Sequence, residues 1–374
     1  MTRIVIIGSG FAGCTAIRTL RKNGYKDEIT LISPQPELFY FPSLIWVASG
    51  QRQESDLRIN LQQFIVQHNV NYHAGRVTGI NTNDKQLITD SGEVTYDYVI
   101  VASGGRYIQK LPGIENAHIA CSGWQATKSW ADKLAAMDNG KLAFGFASNP
   151  KEPSAMRGGP VFEFMFGTDT LLKQQGKRDQ FELHFFSPAP RPGARMGEKA
   201  VDRLLGEMAR RDIHTHLGSK MKAIEANKIS TEGETFESDL TLFIPGMTGP
   251  AWAAESGLTL SEGGFFKANE YCRIVDSEDI YVAGDAGSFP GPDWKPKQAH
   301  MADLQAEAAA KNILNRIGNA DDQHTFKTEL ICIIDTNTTG TMVYRDPKRA
   351  LQMKGKPFHW AKTLFEWNYL RPYR

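Results

Sequence analysis

The sequence predicts an α/β fold with parallel sheets, and three observations support this. The run of residues 3–7, which is apolar after Arg3, is followed at once by a glycine motif and then by a helix-compatible stretch. Later strand-like runs, such as residues 98–102 and 240–244, are almost entirely apolar, as is typical of strands buried on both faces. Strand-like and helix-like segments also alternate through the middle of the chain, which favours a parallel sheet covered by helices.

The glycine motif has the spacing G-x-G-x-x-G, with Gly8, Gly10 and Gly13 as its glycines and Phe11 and Ala12 between the last two. Between a strand and a helix, this spacing indicates a Rossmann-like dinucleotide-binding unit. The first glycine permits a tight turn, the second lets a pyrophosphate approach the backbone, and the third lets the helix pack on the strand. The N-terminus of the helix then offers unpaired N–H groups to the phosphates.

Two such units are predicted, the second inserted in the first, followed by a short C-terminal region. Residues 1–113 and 238–320 are assigned to the first domain, residues 114–237 to the second and residues 321–374 to the C-terminal region. The strand of residues 240–244 is placed in the first domain, and residues 71–80 and 85–95 are interpreted as a small meander. The turn at residues 148–153 contains two prolines and no G-x-G-x-x-G, so the nucleotide loop of the second unit is predicted to be degenerate.

Composition excludes several classes of protein. The 374 residues are 41% hydrophobic and carry a net charge of +1, which gives no basic field for nucleic acid. The cysteines show no C-x-x-C and no zinc spacing, and the histidines show no grouping that indicates a metal. No apolar run is long enough to span a bilayer, and a first strand at residue 3 leaves no room for a signal peptide. We therefore expect a cytoplasmic or peripheral membrane protein.

The end of the second predicted strand, residues 28–32, departs from the usual dinucleotide-binding pattern. An acidic residue near this point usually holds the ribose hydroxyls. Here the position is Ser33, and Glu37 follows four residues later. This weakens a simple interpretation as an NAD-binding domain.

Three features in order resemble the two-dinucleotide-domain flavoproteins over nearly the whole chain: the glycine motif, the strand ending Ala102-Ser103-Gly104, and the segment of residues 281–285. This resemblance implies FAD, bound in an extended form by the first domain. Within that superfamily the chain is similar to sulfide:quinone oxidoreductases and to the flavoprotein subunit of flavocytochrome c sulfide dehydrogenases, with type-II NADH:quinone dehydrogenases next. The segments that carry the likeness are residues 41–47, 159–163, 296–298 and 358–362, together with Cys332 on a late strand.

The resemblance also implies site residues. Lys297 would lie near the flavin pyrimidine edge, where a cation stabilises the anionic reduced flavin. Gly284 and Asp285 would hold the ribityl chain and phosphate, and Val77 would lie near the adenine. The full set of expected cofactor-binding residues is Gly8, Gly10, Phe11, Ala12, Gly13, Ser33, Pro42, Val77, Ala102, Ser103, Gly104, Gly284, Asp285, Lys297 and Gln298.

The cysteines depart from the family pattern. Sulfide:quinone oxidoreductases use two redox cysteines beside the flavin, and many have a third. Cys332 matches the later one and Cys121 resembles the accessory one, whereas the position before Gly159 holds Met156-Arg157-Gly158. Either Cys121 and Cys332 substitute for the standard pair, or Cys332 acts alone, or the substrate is not sulfide. Arg157 is expected to favour an anion and to lower the pKa of a neighbouring thiol.

The implied function is an FAD-dependent oxidoreductase that oxidises sulfide or a related sulfur compound and passes electrons to a quinone. Cys332 would carry the sulfur, with Cys121 as a second thiol, and Glu163 would handle protons. The structural interpretations are an inert thiol at Cys332, a helix-surface carboxylate at Glu163 and a core histidine at His300. Two other functions stay open: NADH:quinone oxidoreduction of the type-II kind, and a flavoprotein subunit that delivers electrons to a cytochrome partner.

The C-terminal segment of residues 358–371 is aromatic and basic. At helical spacing Trp360, Leu364, Trp367 and Leu370 share a face, which suits an amphipathic helix at a membrane interface. The alternatives are a helix packed on the body of the protein and a homodimer interface.

Overall fold

The computed structural model describes residues 2–374. The first of its two large sheets has five parallel strands. We call it the N-terminal sheet. Its strands, in spatial order, are Ile280–Val282, Tyr98–Val101, Arg3–Ile7, Glu28–Ser33 and Asn71–Ala74. The helices Phe11–Lys22 and Ala299–Ile317 pack against each other beside this sheet. The central strands are buried along almost their whole length, because helices and loops cover both faces of a parallel sheet.

An antiparallel meander is attached to this sheet, formed by the strands Val77–Asn81, Gln86–Thr89 and Gly92–Thr95. The prediction that residues 71–80 belong entirely to a meander is wrong for Asn71–Ala74, which pairs with Glu28–Ser33 as the edge of the parallel sheet. Only the end of that segment turns into the meander. The alternating pattern of a short half-exposed strand is the same in either place, so the sequence could not separate the two.

A second five-stranded parallel sheet, the inserted sheet, is built from the middle of the chain. Its strands, in spatial order, are Ala117–His118, Leu240–Ile244, Gly140–Phe146, Phe181–Ser187 and Ile213–Leu217. The helices that belong to it are Trp124–Ala135, Gly159–Gln174 and Glu198–Arg210. A small antiparallel sheet follows, formed by Met221–Ile224, Lys228–Thr231 and Thr235–Glu237. Two parallel sheets with helices confirm the predicted fold class.

The strand Leu240–Ile244 corrects one domain assignment. It was expected to return the chain to the first domain, but it pairs with Gly140–Phe146 and Ala117–His118 in the inserted sheet. The chain next contributes to the N-terminal sheet at Ile280–Val282. A strand that is buried on both faces has the same apolar composition in either sheet, so its composition does not reveal its partners. The other domain bounds stay a prediction.

The C-terminal region forms its own antiparallel sheet and a helix. The strands Leu330–Asp335, Gly340–Arg345 and Ala350–Gly355 pair in sequence order, and the C-terminal helix runs from Lys356–Leu370. The first strand packs against the helix Gly159–Gln174 of the inserted domain. No helix within residues 2–374 combines the length and the apolar character that crossing a membrane requires.

Short elements complete the chain. The remaining strands have two or three residues each and are Glu37–Phe39, Arg58–Asn60, Arg106–Tyr107, Met247–Thr248, Phe266–Lys267 and Gly287–Ser288. The short α-helices are Glu54–Leu57 and Gln62–Gln67. The 3₁₀ turn Phe41–Trp46 buries Leu44 and Trp46 against the inserted domain's core.

Candidate functional site

A large cavity lies between the N-terminal sheet, the inserted domain and the C-terminal region. Its volume is about 1680 Å³, and its wall includes the glycine loop, two cysteines and residues of the C-terminal helix. Ordinary ligand pockets measure roughly 300–1,000 Å³. The cavity therefore has room for a dinucleotide and a second molecule together.

The glycine loop is shaped by close backbone contacts on one side and open space on the other. Gly8 has φ +107°, and a Cβ there would clash with the carbonyl oxygen of Ala102. A Cβ on Gly13 would clash with the carbonyl oxygen of Gly8, so the third glycine serves helix packing, as predicted. Gly10 and Gly104 instead have open space at the Cβ position and line the cavity.

The first turn of the helix Phe11–Lys22 is ready for an anion. Its N-cap is Gly10, which has no side chain to cap the free backbone N–H groups. Gly10, Phe11 and Ala12 all line the cavity. Because uncapped N–H groups at a helix N-terminus bind phosphate, these residues fit the pyrophosphate of a dinucleotide such as FAD.

Most of the expected cofactor-binding residues line this one cavity. Those that do are Gly8, Gly10, Phe11, Ala12, Ser33, Pro42, Ala102, Ser103, Gly104, Gly284, Asp285, Lys297 and Gln298. Val77 lies in the meander, where it is buried and pairs with Thr89, so its place beside an adenine stays a prediction. The hydroxyl of Ser33 donates to the carbonyl oxygen of Gln35 at 2.7 Å and thereby closes a turn at the cavity wall.

Lys297 is a cation without a carboxylate partner in ion-pair contact within the described chain. Its Nζ donates to the carbonyl oxygens of Gly287 at 2.8 Å and Asp285 at 3.3 Å, and lies 3.9 Å from the ring centre of Phe265. Burial lowers the pKa of Lys297 to about 8, against the opposing effect of the Asp285 carboxylate. A positive charge held by neutral carbonyl groups can respond to negative charge that develops in the cavity.

Arg157 lies just before the helix Gly159–Gln174, and it forms an ion pair with the carboxylate of Asp285. Burial disfavours its charge, but Asp285 raises the pKa of Arg157 overall. The hydroxyl of Tyr107 lies buried nearby without a hydrogen-bond partner. Asp285, which is expected to hold the ribityl chain, is therefore already paired with Arg157.

Cys121 and Cys332 both line the cavity, and both are free thiols. Burial raises the pKa of each thiol to about 12. Arg157 acts to lower the pKa of Cys121, as expected, but burial of this thiol outweighs the effect of the guanidinium group. Cys332 is the more accessible of the two, whereas Cys121 is buried. Cys14 and Cys272 lie fully buried in the core of the N-terminal domain.

Glu163, on the helix Gly159–Gln174, lies at the cavity wall in a buried ionic contact. Its Oε1 accepts hydrogen bonds from Nζ of Lys362 and from the backbone N–H of Asp335, the latter at 2.9 Å. Burial raises the pKa of Glu163 to about 7, although Lys362 acts in the opposite direction. A carboxyl group that titrates near neutral pH is suited to accept and release protons. A helix-surface carboxylate would be exposed, so the buried Glu163 does not fit that interpretation.

The structure also reveals residues in the cavity wall, and directly behind it, that the sequence did not single out. Buried Asp335 accepts from Nε1 of Trp46 at 3.2 Å, and its Oδ2 lies 2.7 Å from Nδ1 of His359. Asp303 lines the cavity and accepts from the hydroxyl of Thr15 at 2.7 Å. These partners lie far apart in the sequence, so no local pattern indicates them.

Two expectations outside the cofactor set change. His300 is not a core histidine: its side chain is 37% exposed, lines the cavity and lies 2.7 Å from Glu329. The face predicted for the C-terminal helix includes Leu370, but Leu370 is fully buried with Tyr373 in the N-terminal core. The helix ends there, and the following turn Arg371–Tyr373 draws its last residue inward.

Comparison with known proteins assigns the class first. The chain belongs to the pyridine nucleotide-disulphide oxidoreductase family, whose model matches residues 2–145 and 169–306. This agrees with the glycine loop and the two parallel sheets. It confirms the expectation of an oxidoreductase with FAD as its cofactor.

Individual relatives narrow the likeness. A sulfide-quinone reductase of Aquifex aeolicus (strain VF5) is 27% identical over 388 residues, which cover 97% of this chain and 89% of the relative. The X-ray structure of the sulfide:quinone oxidoreductase from Aquifex aeolicus superposes with a TM-score of 0.92 and 26% identity, and covers 100% of this chain and 92% of that chain. The suspected resemblance to sulfide:quinone oxidoreductases is thereby confirmed.

A second group of relatives is more distant. A type II NADH:quinone oxidoreductase of Staphylococcus epidermidis (strain ATCC 12228 / FDA PCI 1200) is 23% identical over 365 residues, covering 91% of this chain and 90% of the relative. The structure of NDH2 from Plasmodium falciparum has a TM-score of 0.75 at 13% identity and covers 100% of this chain and 95% of that chain. This structural likeness shows a shared fold.

Proposed function

We propose that this protein is an FAD-dependent oxidoreductase that oxidises sulfide or a related sulfur compound and passes the electrons to a quinone. The observation that carries the proposal is that Cys332 opens into the same cavity as the phosphate-binding glycine loop and the C-terminal helix. A thiol, a dinucleotide site and an apolar surface element thus meet in one space.

The N-terminal domain would hold FAD through its own backbone. Gly10, Phe11 and Ala12 would receive the pyrophosphate at the uncapped helix N-terminus. Lys297 would place its positive charge at the flavin end of the cavity, where neutral carbonyl groups hold it. When bound, FAD supplies the two-electron acceptor that links the sulfur substrate to the quinone.

The sulfur side of the cavity would use Cys332 as the residue that carries sulfur. Its thiol is more accessible than that of Cys121. Arg157 stands in the segment where the family resemblance implies a second redox cysteine, so that thiol is missing here. Because burial raises the pKa of Cys332 to about 12, the thiol needs a nearby base to become a nucleophile. Glu163 increases the thiol pKa through its negative charge, which places this carboxyl group close enough to influence the thiol electrostatically.

The quinone side would be reached through the C-terminal helix. Phe365 lines the cavity and is also 56% exposed on the outside of the molecule. Lys362 lies one turn earlier and binds Glu163. A quinone that enters past Phe365 would therefore meet the Glu163–Lys362 pair, from which it can take protons when it is reduced.

The exposed surface of this helix supports docking to a membrane. Trp360, Leu364 and Trp367 are between 54% and 66% exposed and occupy one face. Leu351 and Met353 on the preceding strand Ala350–Gly355 are also more than half exposed. Large exposed apolar patches mark interaction sites, and Trp residues beside Lys and Arg suit the lipid headgroup region. We place a lipid-borne quinone on this side of the protein.

The alternative of NADH oxidation has less support from the inserted domain. A Cβ on Gly158, just before the helix Gly159–Gln174, would meet the ring of Phe146. In a nucleotide-binding unit, the corresponding space after the strand receives phosphate. An aromatic ring at this position, with Pro150 and Pro153 in the loop, does not provide the usual glycine turn. The type-II relatives keep NADH as the second candidate.

The replacement Cys332→Ser tests the proposal. We expect Cys332→Ser to reduce the rate of sulfide-driven flavin reduction by at least about 100-fold, because a hydroxyl group cannot carry sulfur as a thiol does. Stopped-flow absorbance of the flavin band under anaerobic conditions measures this rate.

The control variant Cys272→Ser makes the same chemical change at a buried thiol of the N-terminal core. It should retain the wild-type rate in the fraction that carries FAD. An unchanged rate in Cys332→Ser would refute the role of Cys332.

A further inference from the structure

Asp335 is a buried carboxylate to which the proposed chemistry gives no role. It ends the first strand of the C-terminal antiparallel sheet and is 1% exposed. Its Oδ1 accepts from Nε1 of Trp46 at 3.2 Å and from the backbone N–H of Asn337 at 2.7 Å. Its Oδ2 lies 2.7 Å from Nδ1 of His359. Burial of a carboxylate costs free energy unless hydrogen-bond donors surround it, and these three donors hold the group in one place.

The backbone of Asp335 connects this carboxylate to the Glu163–Lys362 pair. Its N–H donates to Oε1 of Glu163 at 2.9 Å, and the same oxygen accepts from Nζ of Lys362. Lys362 also donates to the carbonyl oxygen of Ile333 at 3.3 Å. The end of one strand therefore contacts both members of the pair. Because the Asp335 side chain is anchored at three points, the direction of its N–H toward Glu163 is fixed as well.

His359 and Lys362 lie on one face of the C-terminal helix, since residues three apart on a helix are neighbours. This helix thus supplies the partners of both carboxylates, Asp335 and Glu163. Trp46 lies among these groups. Its ring is edge-on to that of His359 with 6.2 Å between the ring centres, and Nζ of Lys362 lies 5.7 Å from its ring centre. Because Trp46 is fully buried, charges in this region are weakly screened.

Charges close to Glu163 decide how readily it releases a proton. Titratable groups reach it from three other elements and are Lys362, Asp335, Cys121 and Cys332. Burial raises the pKa of both thiols to about 12, so they stay neutral near pH 7. Burial is also the largest cause of the raised pKa of Glu163; Lys362 opposes it, and the charge of Asp335 adds to it. Asp335 therefore favours the protonated form of Glu163.

We propose that Asp335, completed by His359, is a positioning residue for proton transfer to the quinone. It directs Glu163 toward Lys362 through its backbone N–H and favours the protonated carboxyl group through its own charge. A quinone takes up two electrons and two protons to become a quinol. The electrons and one proton come from the reduced flavin, and the second proton comes from Glu163. The proposal rests on the proposed function for this role of Glu163.

Reoxidation of the reduced holoenzyme by a soluble quinone tests this role. Stoichiometric dithionite reduces the flavin anaerobically, so the reaction with sulfide does not enter, and stopped-flow absorbance follows the flavin band at each pH. The wild-type rate should fall as pH rises through an apparent pKa of about 7. Asp335→Asn should move this transition down by about one pH unit, because loss of the negative charge favours ionised Glu163. Below both transitions its rate should stay within about twofold of the wild type, since Glu163 is protonated in either protein.

His359→Gln breaks the same ion pair from its other side. It leaves the negative charge of Asp335 in place, so its transition should lie at or above that of the wild type. A merely structural ion pair would make the two variants alike, whereas the positioning role gives them different directions. A transition that moves to lower pH in both variants would overturn the proposal.

Glu366→Gln is the matched control, because it neutralises another buried carboxylate that holds the same helix. Glu366 pairs with Arg52 at 2.8 Å and accepts from the hydroxyl of Ser43 at 2.6 Å. Within residues 2–374, neither side chain of this ion pair hydrogen-bonds to Glu163 or Lys362. Its transition should stay within about 0.3 pH unit of the wild type. An equal shift in this variant and in Asp335→Asn would overturn the proposal.

The FAD content of each variant separates positioning from folding. Loss of FAD from Asp335→Asn, with FAD retained in Glu366→Gln, would assign Asp335 to stability and overturn the proposal. A wild-type transition that Asp335→Asn leaves unmoved would overturn the proposal alone. A wild type without a transition near pH 7 would instead contradict the proton-transfer role of Glu163, and the proposal with it.

Discussion

Glu163 shows how burial and an ion pair divide control of one carboxyl group. Burial disfavours its negative charge and Lys362 favours it, and the balance raises its pKa to about 7. The backbone N–H of Asp335 fixes the position of the same oxygen. The protonated and ionised forms are therefore both populated at neutral pH, which is the condition for moving protons in either direction.

This balance predicts the pH dependence of quinone reduction. The wild-type rate should change through an apparent pKa of about 7, and Glu163→Gln should remove that transition because the amide does not titrate. Lys362→Met should move it to higher pH, since the ammonium group now lowers the carboxyl pKa. Steady-state rates with a soluble quinone across pH 5–9 would measure this.

A transition near pH 7 that survives in Glu163→Gln would contradict the assignment of the proton-transfer role. A shift to lower pH in Lys362→Met would contradict the sign of the electrostatic effect. The FAD content of both variants controls for loss of folded protein.

At the scale of elements, the C-terminal helix is amphipathic, but its orientation is the reverse of that usual in a globular protein. Its polar face is turned toward the protein and its apolar face is exposed. Three of its polar side chains, those of His359, Lys362 and Glu366, face the protein and are between 6% and 17% exposed. They bind Asp335, Glu163 and Arg52 respectively. The apolar residues of the opposite face point outward. This exposure is favourable only where an apolar environment, and not water, covers that face.

The helix therefore predicts binding to lipid vesicles. The double replacement Leu364→Glu and Trp367→Glu should weaken vesicle binding by at least about tenfold, because it places two charges where apolar area would be buried. Co-sedimentation with liposomes of mixed zwitterionic and anionic lipid would measure it.

Val66→Glu is the control for this experiment, since Val66 is 79% exposed but lies in the helix Gln62–Gln67, outside the C-terminal helix. It should bind vesicles like the wild type. Equal binding by the double variant would show that the apolar face serves another contact, and a stable dimer lost in the same variant would identify that contact.

At the scale of the whole molecule, the sequence predicts what local pattern determines. The glycine motif, the apolar strands and the long helices are each specified within a few residues, and their positions agree with the structure. The sheet that receives Leu240–Ile244 depends on partners elsewhere in the chain. The contact of Glu163 with Lys362 spans 199 positions, so neither residue's neighbours indicate it.

The cavity is likewise a property of the assembled chain. Its wall combines residues from the first turn of the molecule with residues of its last helix. The family resemblance assigns the cofactor and thiol residues to one site, and most of them line this cavity. Asp303 belongs to no such pattern, and only the folded chain brings it to the cavity wall.

The most direct test of the central claim is an anaerobic absorbance titration of the purified yellow holoenzyme, with sulfide in one cuvette and NADH in the other. The account predicts that sulfide bleaches the flavin band, that a soluble quinone restores it, and that NADH has no comparable effect. Bleaching by NADH alone would contradict the account, because the inserted domain would then accept a nucleotide without the glycine turn. Failure of both reagents to bleach the flavin would contradict it as well, and would direct attention to a protein electron donor.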